Sequence, residues 1–129
     1  MLPKNVISWF HIPTADFNRA VKFYSTILGN PINVMDFNGQ KMGFFPMSGG
    51  PDSDGVGGSL MPPVTHDWQP PQNGTQVFLS CEGVMDAVLG RVEKAGGKIL
   101  VPRTAMGDPG YFAFIQDTEG NKVGLHSKS

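Results

Sequence analysis

Three histidines, His11, His66 and His126, are the side chains best suited to moving a proton near neutral pH in this chain. An unperturbed imidazole titrates near pH 6.5, so it needs no large shift to act as acid or base. His11 follows Ile7 and Trp9 on one face of an alternating run, and His126 ends a second such run after Gly124. His11 is the candidate catalytic residue, touching a ligand or passing it a proton without a metal. The plainer alternative makes both imidazoles polar residues at strand ends. Other chemistry is thin. Asp16 and Arg19 are placed to start a helix, Asp52 and Asp54 sit in a glycine-rich loop, and Glu119 lies in a turn where solvent is its expected neighbour. The loop lacks the Gly-x-x-x-x-Gly-Lys-Ser/Thr spacing of a phosphate cradle. Ser25 and Ser48 show no His–Asp support for a nucleophile. Cys81 is the single cysteine, which rules out an intrachain disulfide, fits a reducing cytoplasm, and falls in an apolar run that predicts a buried, inert thiol.

The elements that must position these groups come twice. Val6 to Ile12 reads as a strand. Asp16 or Thr14 caps a helix whose stripe is Phe17, Ala20, Val21, Tyr24, Ile27 and Leu28, stopped by Gly29. Strands follow at 31–37, 41–46 and 56–61, the first two joined by an Asn38-Gly39 turn. A Pro- and Gly-rich stretch, 62–74, reads as a linker with one anchoring aromatic, Trp68. The order then restarts: a strand over 76–81, a helix on Met85, Val88, Leu89, Val92 and Ala95, a strand over 98–103, and a hairpin of Tyr111 to Gln116, an Asp117-Thr-Glu-Gly-Asn121 turn, and Lys122 to His126.

The result is an α+β chain of two βαβββ modules, about 1–61 and 75–129, within one domain spanning 1–129. Each half has about 60 residues and one helix, which covers one sheet face and leaves the other for a partner. Two curved mixed sheets with helices outside would then form a cup-shaped half-barrel. The balance of charge bounds the partners. A net charge of −1 offers no electrostatic footprint for nucleic acid or acidic lipid. No apolar run approaches a membrane span, and the first residues show no basic start followed by an apolar stretch, so neither a span nor a signal peptide is expected.

Ser8-Trp-Phe-His-Ile-Pro13, Asp16-Phe-Asn-Arg-Ala-Val-Lys-Phe-Tyr24, Ile27-Leu-Gly29, Asp117-Thr-Glu-Gly-Asn121 and Val123-Gly-Leu125 carry a resemblance. The chain resembles the vicinal oxygen chelate superfamily, which contains glyoxalase I, bleomycin-resistance proteins and extradiol dioxygenases, and looks most like its lactoylglutathione lyase-related branch. The likeness runs through essentially the whole chain and implies paired βαβββ modules, commonly in a homodimer. It also implies metal ligands, His or Glu, on the first and last strand of each module. Carried over residue by residue, those positions hold Trp9, Ser59, Gln76 and Gly124. Trp and Gly cannot ligate through a side chain, and Ser and Gln are poor ligands for these metals. No cofactor is therefore expected. A displaced metal at His11 and His126, with His66 or Glu119 as third ligand, is the less favoured alternative.

Strand alternation points Trp9, His11, Gln76, Phe78 and Ser80 into the cup and sets Phe10, Ile12, Val77, Leu79 and Cys81 beneath the helices. Aromatic walls with a few polar groups are what small-molecule sites look like. The expectation is a metal-free, dimeric, cytoplasmic protein that holds a small, partly apolar molecule through Trp9, His11, Ser59, Gln76, Phe78 and His126. One alternative is a lyase or isomerase of the same fold using His11 or a displaced metal. Another is a ligand-free structural dimer with Trp9 and Phe78 filling the cup.

Overall fold

The computed structural model describes residues 2, 3, 5–37, 39–50, 54–63 and 74–129. Asn38, Asp52, His66, Trp68 and most of the 62–74 linker, singled out above, lie outside the described residues. The elements follow in the order β1 (Trp9–Pro13), α1 (Phe17–Leu28), β2 (Asn33–Phe37), β3 (Gln40–Phe44), β4 (Gly57–Met61), β5 (Phe78–Ser80), α2 (Met85–Val92), β6 (Lys98–Ala105), β7 (Tyr111–Gln116) and β8 (Lys122–Ser127). They form two four-stranded mixed sheets, ordered β1-β4-β3-β2 and β5-β8-β7-β6. In each sheet the first strand runs parallel to the last and the others are antiparallel.

Strand ends differ from the pattern-based reading because a strand exists only where a ladder partner does. The β1–β4 ladder opens at Trp9 opposite Gly57, so the alternating residues before Trp9 have nothing to pair with. Val6 and Ile7 are accordingly exposed. Gln76 likewise precedes the β5–β8 ladder, which opens at Phe78 opposite Gly124. The expected strand over 76–81 shrinks to three residues.

Helix α1 begins at Asp16, whose side chain accepts from the Arg19 amide, and ends at Gly29 in the left-handed region with φ 70°. Thr14 has a different task, donating its hydroxyl to the Met61 carbonyl at 2.6 Å and tying β1 to β4. One core runs beneath both helices, built from Phe23, Tyr24, Ile27, Leu60, Val88, Val92, Ile115 and Leu125. Each side chain of this size contributes roughly 1.5–3 kcal/mol on leaving water.

The modules are joined by the β7–β8 turn, which overturns the solvent-facing reading of Glu119. Glu119 is only 5 % exposed, despite its turn sequence. Its Oε1 accepts from the amides of Ala15 at 2.9 Å and Asp16 at 2.6 Å, and its Oε2 from Arg19 Nε at 2.8 Å. A carboxylate thus caps the start of α1 from the other module, where the helix dipole favours negative charge. Burial alone would raise the Glu119 pKa, but the Arg19 hydrogen bond and the Asp16 amide hold it below the ordinary carboxylate range. Beside it, Asp117 accepts from Tyr24 Oη at 2.7 Å and from Asn121 Nδ2 at 2.9 Å. Burial pushes Asp117 upward against those bonds, and burial with the nearby Asp117 charge pushes the Tyr24 phenol well above its usual value. Asn121 completes the lock by donating to the Pro13 carbonyl at 2.9 Å. Turn residues carry this network because their side chains cross to residues between 93 and 108 positions earlier in the chain, which local pattern cannot reveal.

Candidate binding site

The uncovered face of each sheet begins with an aromatic ring beside a glycine. Trp9 is paired with Gly57 and Phe78 with Gly124. A Cβ on Gly57 would come within 2.9 Å of Trp9 Cζ3, and one on Gly124 would fall against Phe78 Cδ1. The rings therefore occupy the space that a side chain on the last strand of each module would need. Two residues on, His11 is paired with Ser59, and Ser80 with His126. The modules repeat each other here with imidazole and hydroxyl exchanged. The register also revises two carried-over positions: Gly57, not Ser59, is the counterpart of Gly124, and Phe78, not Gln76, is the counterpart of Trp9.

On the second module these residues open a cavity of about 530 Å³, lined by Phe78, Ser80, Met106, Phe112, Phe114 and His126. Phe114 lies 5.3 Å from Phe78 and 5.8 Å from Phe112 between ring centroids, so three rings form a continuous wall. Lys122 places its ammonium 4.4 Å above the Phe114 ring. His126 Nε2 is 2.6 Å from the Pro109 carbonyl oxygen. A carbonyl only accepts, so Nε2 carries the hydrogen, and Nδ1 remains as the ring's other hydrogen-bonding atom. The arrangement can hold an apolar, planar body and address one polar group on it.

The first module offers a separate recess of about 450 Å³ lined by Trp9, Met35, Phe44, Phe45 and Met47, among others. Trp9 packs edge-on to Phe44 at 5.9 Å. The two cavities share no lining residue. His11 belongs to neither. It borders a notch of about 90 Å³ with Thr75, Asn121 and Lys122, where β1 meets the start of β8.

Of the predicted site residues, the fold brings together Phe78 and His126 on one cavity, puts Trp9 on the other, and sets His11 apart. Ser59 is fully buried, its hydroxyl 3.7 Å from Met61 Sδ. Gln76 is exposed and lies outside the strand. Phe112, Phe114 and Met106 were not singled out from sequence. Alternation within Tyr111–Gln116 puts Phe112 and Phe114 on one face, but that run is apolar on both faces, so the pattern did not say which side opened on a cavity.

The metal implied by the resemblance finds no fitting donor set. Rings cover Gly57 and Gly124, Ser59 is turned to a thioether, and Gln76 is off the ladder. Glu119, offered above as a third ligand, has both carboxylate oxygens engaged by α1 and Thr118. Among the described residues no three His, Cys, Asp or Glu side chains cluster in a way that could hold a metal ion.

Known proteins place this geometry in context. CFP32 of Mycobacterium bovis, a proposed glyoxylase, is 28% identical over 130 aligned residues that take in 92% of this chain. The chain spans 44% of that relative's length. Among solved structures, a glyoxalase/bleomycin resistance protein from Albidiferax ferrireducens superposes with TM-score 0.75 at 19% identity, covering 97% of this chain and all 100% of that one. A mutant of the fosfomycin resistance protein FosX from Listeria monocytogenes, complexed with Mn(II) and a dihydroxypropylphosphonic acid, gives TM-score 0.63 at 16% identity over 99% of this chain and 93% of that one. At such identities the structures establish a shared fold alone. The family model described as the Glyoxalase/Bleomycin resistance protein/Dioxygenase superfamily matches residues 6–125. With its sequence matched along nearly its full length and its two βαβββ sheets laid out as in those structures, the chain belongs to the glyoxalase/bleomycin resistance protein/dioxygenase superfamily.

Proposed function

We propose that this member of the superfamily binds a small, partly apolar molecule without a metal, in the cavity walled by Phe78, Phe112 and Phe114. The observation that carries the reading is the cavity itself: an aromatic wall with one imidazole and one hydroxyl at its rim. Its volume falls in the range of small-molecule sites, about 300–1,000 Å³. Phe78 remains 49 % exposed and Trp9 39 % exposed, so the chain's own side chains do not fill its concave faces. That supports a ligand over a cup packed shut.

The reading includes a homodimer. Within one chain the two concave faces line separate recesses, and a second copy could set one face over the other to close a shared cup. A reducing, cytoplasmic setting goes with it, since Cys81 is buried and unpaired. No helix among the described residues is long and apolar enough to cross a membrane. A lyase or isomerase centred on His11 has less support, because His11 borders a small notch away from the aromatic wall.

The test is calorimetric titration with a panel of planar aromatic molecules bearing one polar group. Binding should weaken about three- to tenfold in Phe114→Ala, which removes a stacking surface worth roughly 0.5–1.5 kcal/mol. His126→Ala should weaken only those ligands that carry a hydrogen-bonding group. No binding across the panel, or binding to Phe114→Ala as tight as to the parent, would defeat the proposal.

A further inference from the structure

A further recess, of different chemistry, lies on the helical side. It encloses about 500 Å³ between α1, the residues after α2, and the β7–β8 turn. Arg19, Lys22 and Thr26 line it from α1, Lys94 and Gly96 from beyond α2, and Thr118 from the turn. Residues 19, 22 and 26 recur at helical spacing and so share one face of α1. No carboxylate lines the recess, and its floor includes the buried Phe23 ring.

The charges there are unevenly engaged. Arg19 gives Nε and Nη2 to Glu119, leaving its Nη1 uncommitted. The ammonium groups of Lys22 and Lys94 have no ion-pair or hydrogen-bond partner among the described residues. The two hydroxyl hydrogens are already placed, Thr26 donating to the Lys22 carbonyl at 2.7 Å and Thr118 to Glu119 at 2.8 Å. The donors left facing the recess are cationic. A cavity of ligand size with cations on two walls and no acid at its lining suits an anion. Two flexible lysines and a fixed guanidinium edge match a compact group carrying two charges and several acceptor oxygens.

We propose that this recess binds a small organic phosphate monoester, at a site separate from the aromatic cavity. The chain's net charge is −1, so the attraction is local to the recess and is screened by salt.

The experiment is an amide NMR titration of the intact chain with glycerol phosphate, repeated with inorganic phosphate to separate recognition of the phosphate from that of the ester body. Saturable shifts should gather at Lys22, Thr26, Lys94, Gly96 and Thr118 with the ester and, more weakly, with phosphate. A Lys22→Gln/Lys94→Gln double variant should bind about tenfold more weakly. Both lysines are exposed surface residues, and the variant's unchanged spectrum without ligand would confirm its fold. Added salt should weaken binding to the parent. Shifts that never saturate, that gather at the aromatic cavity, or that persist unweakened in the double variant would overturn the proposal.

Discussion

Replacing Glu119 with Ala should destabilise the protein by about 2–4 kcal/mol. The carboxylate takes two backbone amides at the start of α1, and hydrogen bonds to a charged group contribute about 1.5–3 kcal/mol each. Water can partly replace it there, because Ala15 and Asp16 are exposed, which pulls the sum down. The Arg19 side chain is 51% exposed, so the ion pair adds about 1 kcal/mol at most. Glu119→Gln keeps the volume and one acceptor and should lose about 1–2 kcal/mol. Urea unfolding at neutral pH measures both. The pH dependence gives an independent check. The folded-state pKa of Glu119 is depressed, so its contribution is present above the unfolded value of about 4.3 and is lost as pH falls through the folded value. The gap between parent and Glu119→Gln should therefore narrow in acid. Asp117, whose folded pKa is raised, acts in the opposite sense, but it does so in both proteins and drops out of the difference to first order. A loss below about 1 kcal/mol for the Ala variant, or a gap that stays constant to about pH 3, would refute the cross-module cap.

Two further outcomes follow from the same geometry. Gly124→Ala puts a Cβ where the Phe78 ring lies, so the ring must swing toward the cavity; a stability loss of about 1–3 kcal/mol is expected, together with weaker binding of aromatic ligands, read by unfolding and by the titration above. Burial raises the Cys81 thiol to about 11, leaving little thiolate near neutral pH. An aromatic disulfide reagent should therefore label Cys81 much more slowly in the native protein than in urea, and equal rates would contradict its burial.

Much of the fold was legible in the chain because it rests on local rules. The stripe from Phe17 to Leu28, its Asp16 cap and its Gly29 stop are short-range events, and α1 has those bounds. Alternation separated Leu79 and Cys81, which are buried, from Phe78 and Ser80, which are exposed. Ladder ends were less legible. Val6, Ile7 and Gln76 have strand-like neighbours, yet whether a partner strand reaches them depends on residues some fifty positions away. The candidate site was legible only in part for a similar reason. Phe78 and His126 share a wall because β5 lies beside β8, whereas His11, placed by the same alternation on β1, belongs to another edge.

The sequence by itself determined the element order, the bounds of α1 and the doubled module, because these depend on periodicity and caps; the expected stripe through Ala95 overran α2, which stops at Val92. Only the tertiary structure decided that aromatic rings cover Gly57 and Gly124, that Phe112 and Phe114 join Phe78, and that the Glu119 side chain reaches from its turn to cap a helix in the other module. Those are contacts between residues far apart in the chain. Their existence depends on which faces meet when the core closes, and no local pattern encodes that meeting.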